Sequence, residues 1–187
     1  MERERVADLK SRFSGSKSVA DEIEQICKLP EMSRIRLHYM AMLMNTCLGE
    51  KVKYGSALWD VMKGVSVRDD LNKIKPNMVK RVLELPSSTP SIAIQYDFGI
   101  NDLSLDVLME KIILAVVTLN RNENRLSKRL LESMLNMNVP GYCTEVKNAC
   151  KLLNIELEQV LKITNIRGYM KKVVARIQAQ ELLKKMM

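Results

Sequence analysis

The sequence predicts an all-α fold, two small helical bundles joined by an irregular connector that contains proline and serine. Three observations lead there. Apolar residues recur at helical spacing along most of the 187 residues, with hydrophobic content of 47% and no sustained alternation outside one short stretch. Proline and glycine fall between these periodic segments, as breaks between helices do. Neither an internal repeat nor a low-complexity tract interrupts the pattern.

The elements follow in chain order. Met1 to Arg5 opens a charged helix and not an apolar leader. Ser16 or Ser18 caps a helix through Lys28, with Val19, Ile23, Ile26 and Cys27 on one stripe. After Pro30, Glu31 to Leu48 is apolar almost all round, which predicts a buried central helix with Arg34, His38 and Asn45 on its polar edge. Gly49 ends it in the manner of a C-terminal glycine. Tyr54 to Lys63 reads as the next helix, closed by Gly64; Ser66 with Asp69 starts a short one, and Pro76 suits the first turn of Asn77 to Leu85. These make an N-terminal domain over residues 1–90.

Residues 86–102 are irregular. Ile92, Ile94, Tyr96 and Phe98 alternate with smaller or polar residues in a strand-like pattern, but no second strand exists to pair with it. An extended connector against the core is the prediction. The C-terminal domain, residues 91–187, has its first helix capped by Asn101 or Asp102, with Leu103, Val107, Leu108, Ile112, Ala115, Val116 and Leu119 buried and the run 112–117 hidden on all sides. Helices then follow at Asn122–Leu135, at Thr144–Leu153, at Ile155–Ile163 behind an Asn154 cap, and at Gly168–Met186.

Composition narrows function. The longest apolar run, Ile112 to Val117, falls far below the roughly 20 residues a membrane span requires, so a soluble protein of cytosol or nucleus is expected. Cys27, Cys47, Cys143 and Cys150 form no C-x-x-C pair and have one histidine for company, so neither metal nor cofactor is predicted; buried thiols in a reducing compartment are. That histidine, His38, has no nucleophile motif beside it. Asp69 with Asp70, and Asp102 with Asp106, are carboxylate pairs better read as surface and cap, and the seven glycines make no phosphate loop. Nothing here predicts an enzyme.

Charge points to a polyanion. Thirty Lys and Arg against 22 Asp and Glu give +8, divided as 16 against 12 in residues 1–95 and 14 against 10 in residues 96–187, so folded surface carries it and not a tail. Arg121, Arg125, Lys128 and Arg129 share one predicted helix face, with Glu123 about 200° away around the helix. Arg167, Lys171, Lys172 and Arg176 form a second stripe, extended by Lys184 and Lys185. Lys73, Lys75, Lys80 and Arg81 flank Pro76 as a third. One such stripe alone is commonly a solvated face. Three with little interleaved acid suit phosphate contacts. Aromatics are only 4% of residues, Trp59 sits on an apolar face, and none lies inside the Arg121 or Lys184 clusters; recognition of a duplex backbone fits better than single-strand binding.

The block from Val79 through Pro90, with Tyr96 to Asp102 and Leu105 to Glu110, resembles the small RNA-silencing suppressors of closteroviruses of the Beet yellows virus type. The resemblance implies a two-domain helical protein of the host cytoplasm that self-associates into a ring. It would sequester small or duplex RNA on a positive surface and so suppress host RNA silencing. Lys80 and Arg81 lie inside the matching block; Arg121, Arg125, Lys128 and Arg129 follow from spacing alone. A helical viral structural protein, matrix or nucleocapsid-associated, is the alternative, and a helical adaptor with incidental charge is a third.

Overall fold

The computed structural model describes residues 18–32, 36–50, 65–100 and 102–186, and these are all helix, turn or loop with no strand among them. The chain is all-α. The predicted helix Tyr54–Lys63, Trp59, Arg34, the Ser16 cap and the charged opening lie outside the described residues, as do the side chains of His38 and Asn45.

Residues 18–50 and 66–103 form one compact unit and residues 104–186 a second, so 91–103 fall with the first. In the first unit, α1 spans 18–27 and buries Ala20, Ile23 and Cys27, while Ile26 faces solvent. A 3-10 turn at Pro30–Met32 precedes α2, Arg36–Leu43, which runs on through a π-helical turn at Met44–Leu48. Met40 and Met44 are buried but Met42 and Cys47 are exposed, so α2 is not apolar on all sides as its composition suggested. Gly49 is right-handed helical at φ −59° and does not terminate the helix.

Pro76 likewise fails to start a helix. It lies inside α3, an unbroken Val65–Val82. Leu71, Lys75, Met78, Val79 and Val82 are buried on both sides of the proline at continuous helical spacing. Burial of that single stripe outweighs the ~3 kcal/mol or more that an interior proline costs. The 91–102 connector is corrected as well: Ser91–Asp97 is a helix, α4. A lone strand would leave its amides and carbonyls unpaired, whereas a helix satisfies them locally. Gly99, at φ +57°, supplies the left-handed residue that ends α4.

The same ending recurs. Glu84, Gly99, Asn138 and Asn154 all take positive φ, and the amide of each following residue donates back across the turn: Leu85 to Lys80, Ile100 to Gln95, Val139 to Met134 and Ile155 to Cys150. This is the Schellman closure, with an apolar residue just beyond it each time. Asn154 therefore ends one helix and does not cap the next. Glu84 is the least suited of the four to a left-handed conformation. Glu84→Gly is expected to raise stability by about 1 kcal/mol, or roughly 2–4 °C in Tm at this chain length, measured by thermal unfolding.

In the second unit the helices are α5 (Leu103–Leu119), α6 (Leu126–Asn136), α7 (Tyr142–Leu152), α8 (Leu157–Leu161) and α9 (Ile166–Met186). The seven apolar residues expected on the buried face of α5 are all buried, although Leu114 and Val117 are exposed, so the 112–117 run is not hidden on all sides. Leu108 and Ile112 of α5 pack in one core with Leu131 of α6, Val146 of α7, Val160 of α8 and Met170 of α9. Asn165 Oδ1 accepts from the Gly168 amide at 3.0 Å and caps α9.

Candidate nucleic-acid interface

The structure sorts the ten candidate cations by what already holds them. Arg81 is engaged: its Nη1 lies 2.6 Å from Asp21 and its Nε 3.1 Å from Glu24, two α1 carboxylates one helical turn apart. The Lys80 ammonium donates to the Ser87 carbonyl at 3.1 Å. Both side chains thus tie the end of α3 to its surroundings, and Lys75 beside them is buried. On α9, Arg167 forks onto Glu110 of α5 at 3.1 and 3.4 Å.

The Arg121 cluster is not one helix face. α5 stops at Leu119, residues 120–125 form a loop, and α6 begins only after Arg125, whose backbone is extended at ψ 121°. Asn122 turns the loop by accepting the Asn124 amide on Oδ1 at 3.2 Å, which is how Asn competes with helix. Only Lys128 and Arg129 of the set are helical. The angular argument that set Glu123 aside also lapses. Glu123 lines a cavity of about 330 Å³ with Asn124, Lys128, Arg129 and Glu132, where two carboxylates balance two cations. Lys128 lies 3.8 Å from Glu132. That concavity is no anion pocket, so an open surface is the better candidate.

Arg121, Arg125, Arg129, Lys171, Lys172 and Arg176 remain, each exposed and with no side-chain partner among the described residues. All belong to the second unit. Arg125 and Arg129 sit in the first turn of α6, which contains no acidic residue and has no side-chain cap. Helix N-termini carry about half a positive charge, so arginines there intensify a field that anions would relieve. On α9, Lys171, Lys172 and Arg176 share the solvent face with Ala175 and Ala179, opposite buried Met170, Val173 and Val174.

Sequence reasoning missed what lies beneath. Lys111 is fully buried in the apolar α5, its ammonium bonded to Glu145 of α7 and 5.7 Å from the Tyr142 ring centre. The Tyr142 hydroxyl donates to the Lys111 carbonyl at 3.1 Å. The signal in the sequence is a lysine at a core position of the α5 stripe, next to the apolar run that begins at Ile112. Of the cysteines, Cys27, Cys143 and Cys150 are buried as expected, but Cys47 is exposed; all four are free. Among the described residues no cluster could hold a metal ion.

Burial pushes the Cys150 thiol from its ordinary 9.0 up to about 11, and raises Cys143 and Tyr142 as well. In the unfolded chain these groups ionise first, so between pH 9 and 11 the unfolded state binds fewer protons than the folded one. Stability should therefore fall as pH rises from 9 towards 11, by up to about 1.4 kcal/mol per pH unit for Cys150. Urea midpoints from pH 7 to 10.5 check this; a flat profile would contradict it.

Comparison with known proteins gives no matching family model, no similar curated protein and no matching solved structure. Function must be argued from the surface itself.

Proposed function

We propose that this protein binds small duplex RNA without regard to sequence and, by sequestering it, suppresses host RNA silencing. The observation that carries the proposal is the set of unpartnered cations on the second unit: Arg121, Arg125 and Arg129 at one helix start, and Lys171, Lys172 and Arg176 on the face of α9. Phosphates would give these groups the ion-pair partners they lack, and the cavity that Arg129 and Lys128 share with Glu123 and Glu132 is charge-balanced and offers no competing small-anion pocket. Exposed aromatics do not accompany them, which favours the backbone of a duplex over stacked single-stranded bases. Self-association, as the resemblance implies, would multiply a charge of +8 per chain.

Lys80 and Arg81 contribute less in this account, since internal partners hold both. The test is binding of a labelled short RNA duplex at two salt concentrations, beside single-stranded RNA and duplex DNA. Tight, salt-steep binding to duplex RNA supports the proposal; no binding to any nucleic acid at low salt refutes it.

A further inference from the structure

We propose a second activity for the same unit: the outer face of α6 docks on an anionic lipid surface. Leu126, Leu130 and Met137 are 78%, 57% and 70% exposed, and with Ser133 they recur at spacings of four, three and four, one stripe along the helix. They are not the residues that face the core; Leu131, Met134 and Leu135 do that from the other side of α6. Arg125 and Arg129 border the stripe, and Arg121 stands in the loop before it; none of them forms an ion pair among the described residues, and Arg129 lines the cavity that also holds Glu123 and Glu132. Exposed leucines beside arginines without an ion pair are the chemistry of a helix lying in a negatively charged membrane interface.

Other occupants fit less well. The three apolar side chains expose on the order of a few hundred Å², short of the about 800 Å² per partner that a stable protein interface uses. A lipid surface requires neither a matched cavity nor that area, and its anionic headgroups complement the arginines. No helix of the described residues is long and apolar enough to cross a membrane, so docking is superficial.

Co-sedimentation with vesicles tests the proposal, using phosphatidylcholine alone and phosphatidylcholine mixed with phosphatidylserine. The full chain is compared with Leu126→Ser, Leu130→Ser and Met137→Ser combined. These side chains are exposed, and an unchanged circular dichroism spectrum would establish that the variant folds. The expected result is binding to the anionic vesicles alone, at least tenfold weaker in the variant, with duplex-RNA binding unaltered. Absence of vesicle binding overturns the proposal, and so does vesicle binding that survives the triple change, because charge alone would then account for it. Self-association that disappears in the variant gives the face to a second copy and overturns it too.

Discussion

Glu145→Leu should destabilise the protein by about 3–5 kcal/mol, because it takes the carboxylate of a buried ion pair away from its ammonium. The substitution roughly keeps side-chain volume and removes the Glu145 carboxylate bonded to Lys111, whose side chain is fully buried. An ammonium that loses this carboxylate in an apolar core must either stay charged at a higher cost or fold in its neutral form. Lys111→Met should cost less, because Glu145 keeps a little exposure and its carboxylate can reach water. The double variant, Lys111→Met with Glu145→Leu, is expected within about 1 kcal/mol of the parent, since replacing both members of a buried pair is often neutral or stabilising. Urea unfolding of the four proteins makes a double-mutant cycle. Equal losses in both single variants and an additive double would show that the pair is not coupled.

Removing the free cations of the α6 tip should have the larger functional effect. Each phosphate contact contributes about 0.9 to the slope of log affinity against log salt on a duplex, which at 0.1 M salt is roughly eightfold in affinity. Arg121→Ala, Arg125→Ala and Arg129→Ala together should then weaken duplex-RNA binding by two to three orders of magnitude and lower the slope by about 3, if all three touch phosphate. Lys171→Ala, Lys172→Ala and Arg176→Ala form the matching set on α9, and comparison of the two slopes divides the contacts between the faces. Arg81→Ala is the contrast. Its guanidinium is held by Asp21 and Glu24, so stability should fall while the salt slope barely changes. A tip variant that binds like the parent, with an unaltered slope, would remove that surface from the proposal.

Helicity was legible in the sequence because it is a local property. The buried stripe of α5 follows from a 3.6-residue period, and each of its seven anticipated residues is buried. Breaks at Pro30, Pro86, Pro90 and Pro140 were legible for the same reason. Proline and glycine were misread where long-range burial competes with local preference. Pro76 continues a helix because one apolar stripe runs past it, and Gly49 stays helical within a longer run. The strand-like alternation at 92–98 spans too few residues to distinguish two periods, and an unpaired strand would have no hydrogen-bond partner.

Of the candidate interface, sequence alone determined which cations exist and that the charge is spread over both halves. It could not determine which are free. Ion pairing depends on carboxylates distant in sequence: Asp21 for Arg81 sixty residues on, Glu110 for Arg167, Glu145 for Lys111. Only the packing of helices brings these together, and only that packing leaves Arg121, Arg125, Arg129, Lys171, Lys172 and Arg176 facing water. Local hydrogen bonding wrote the helices into the sequence; burial and long-range pairing decided which of its charges are available to a partner.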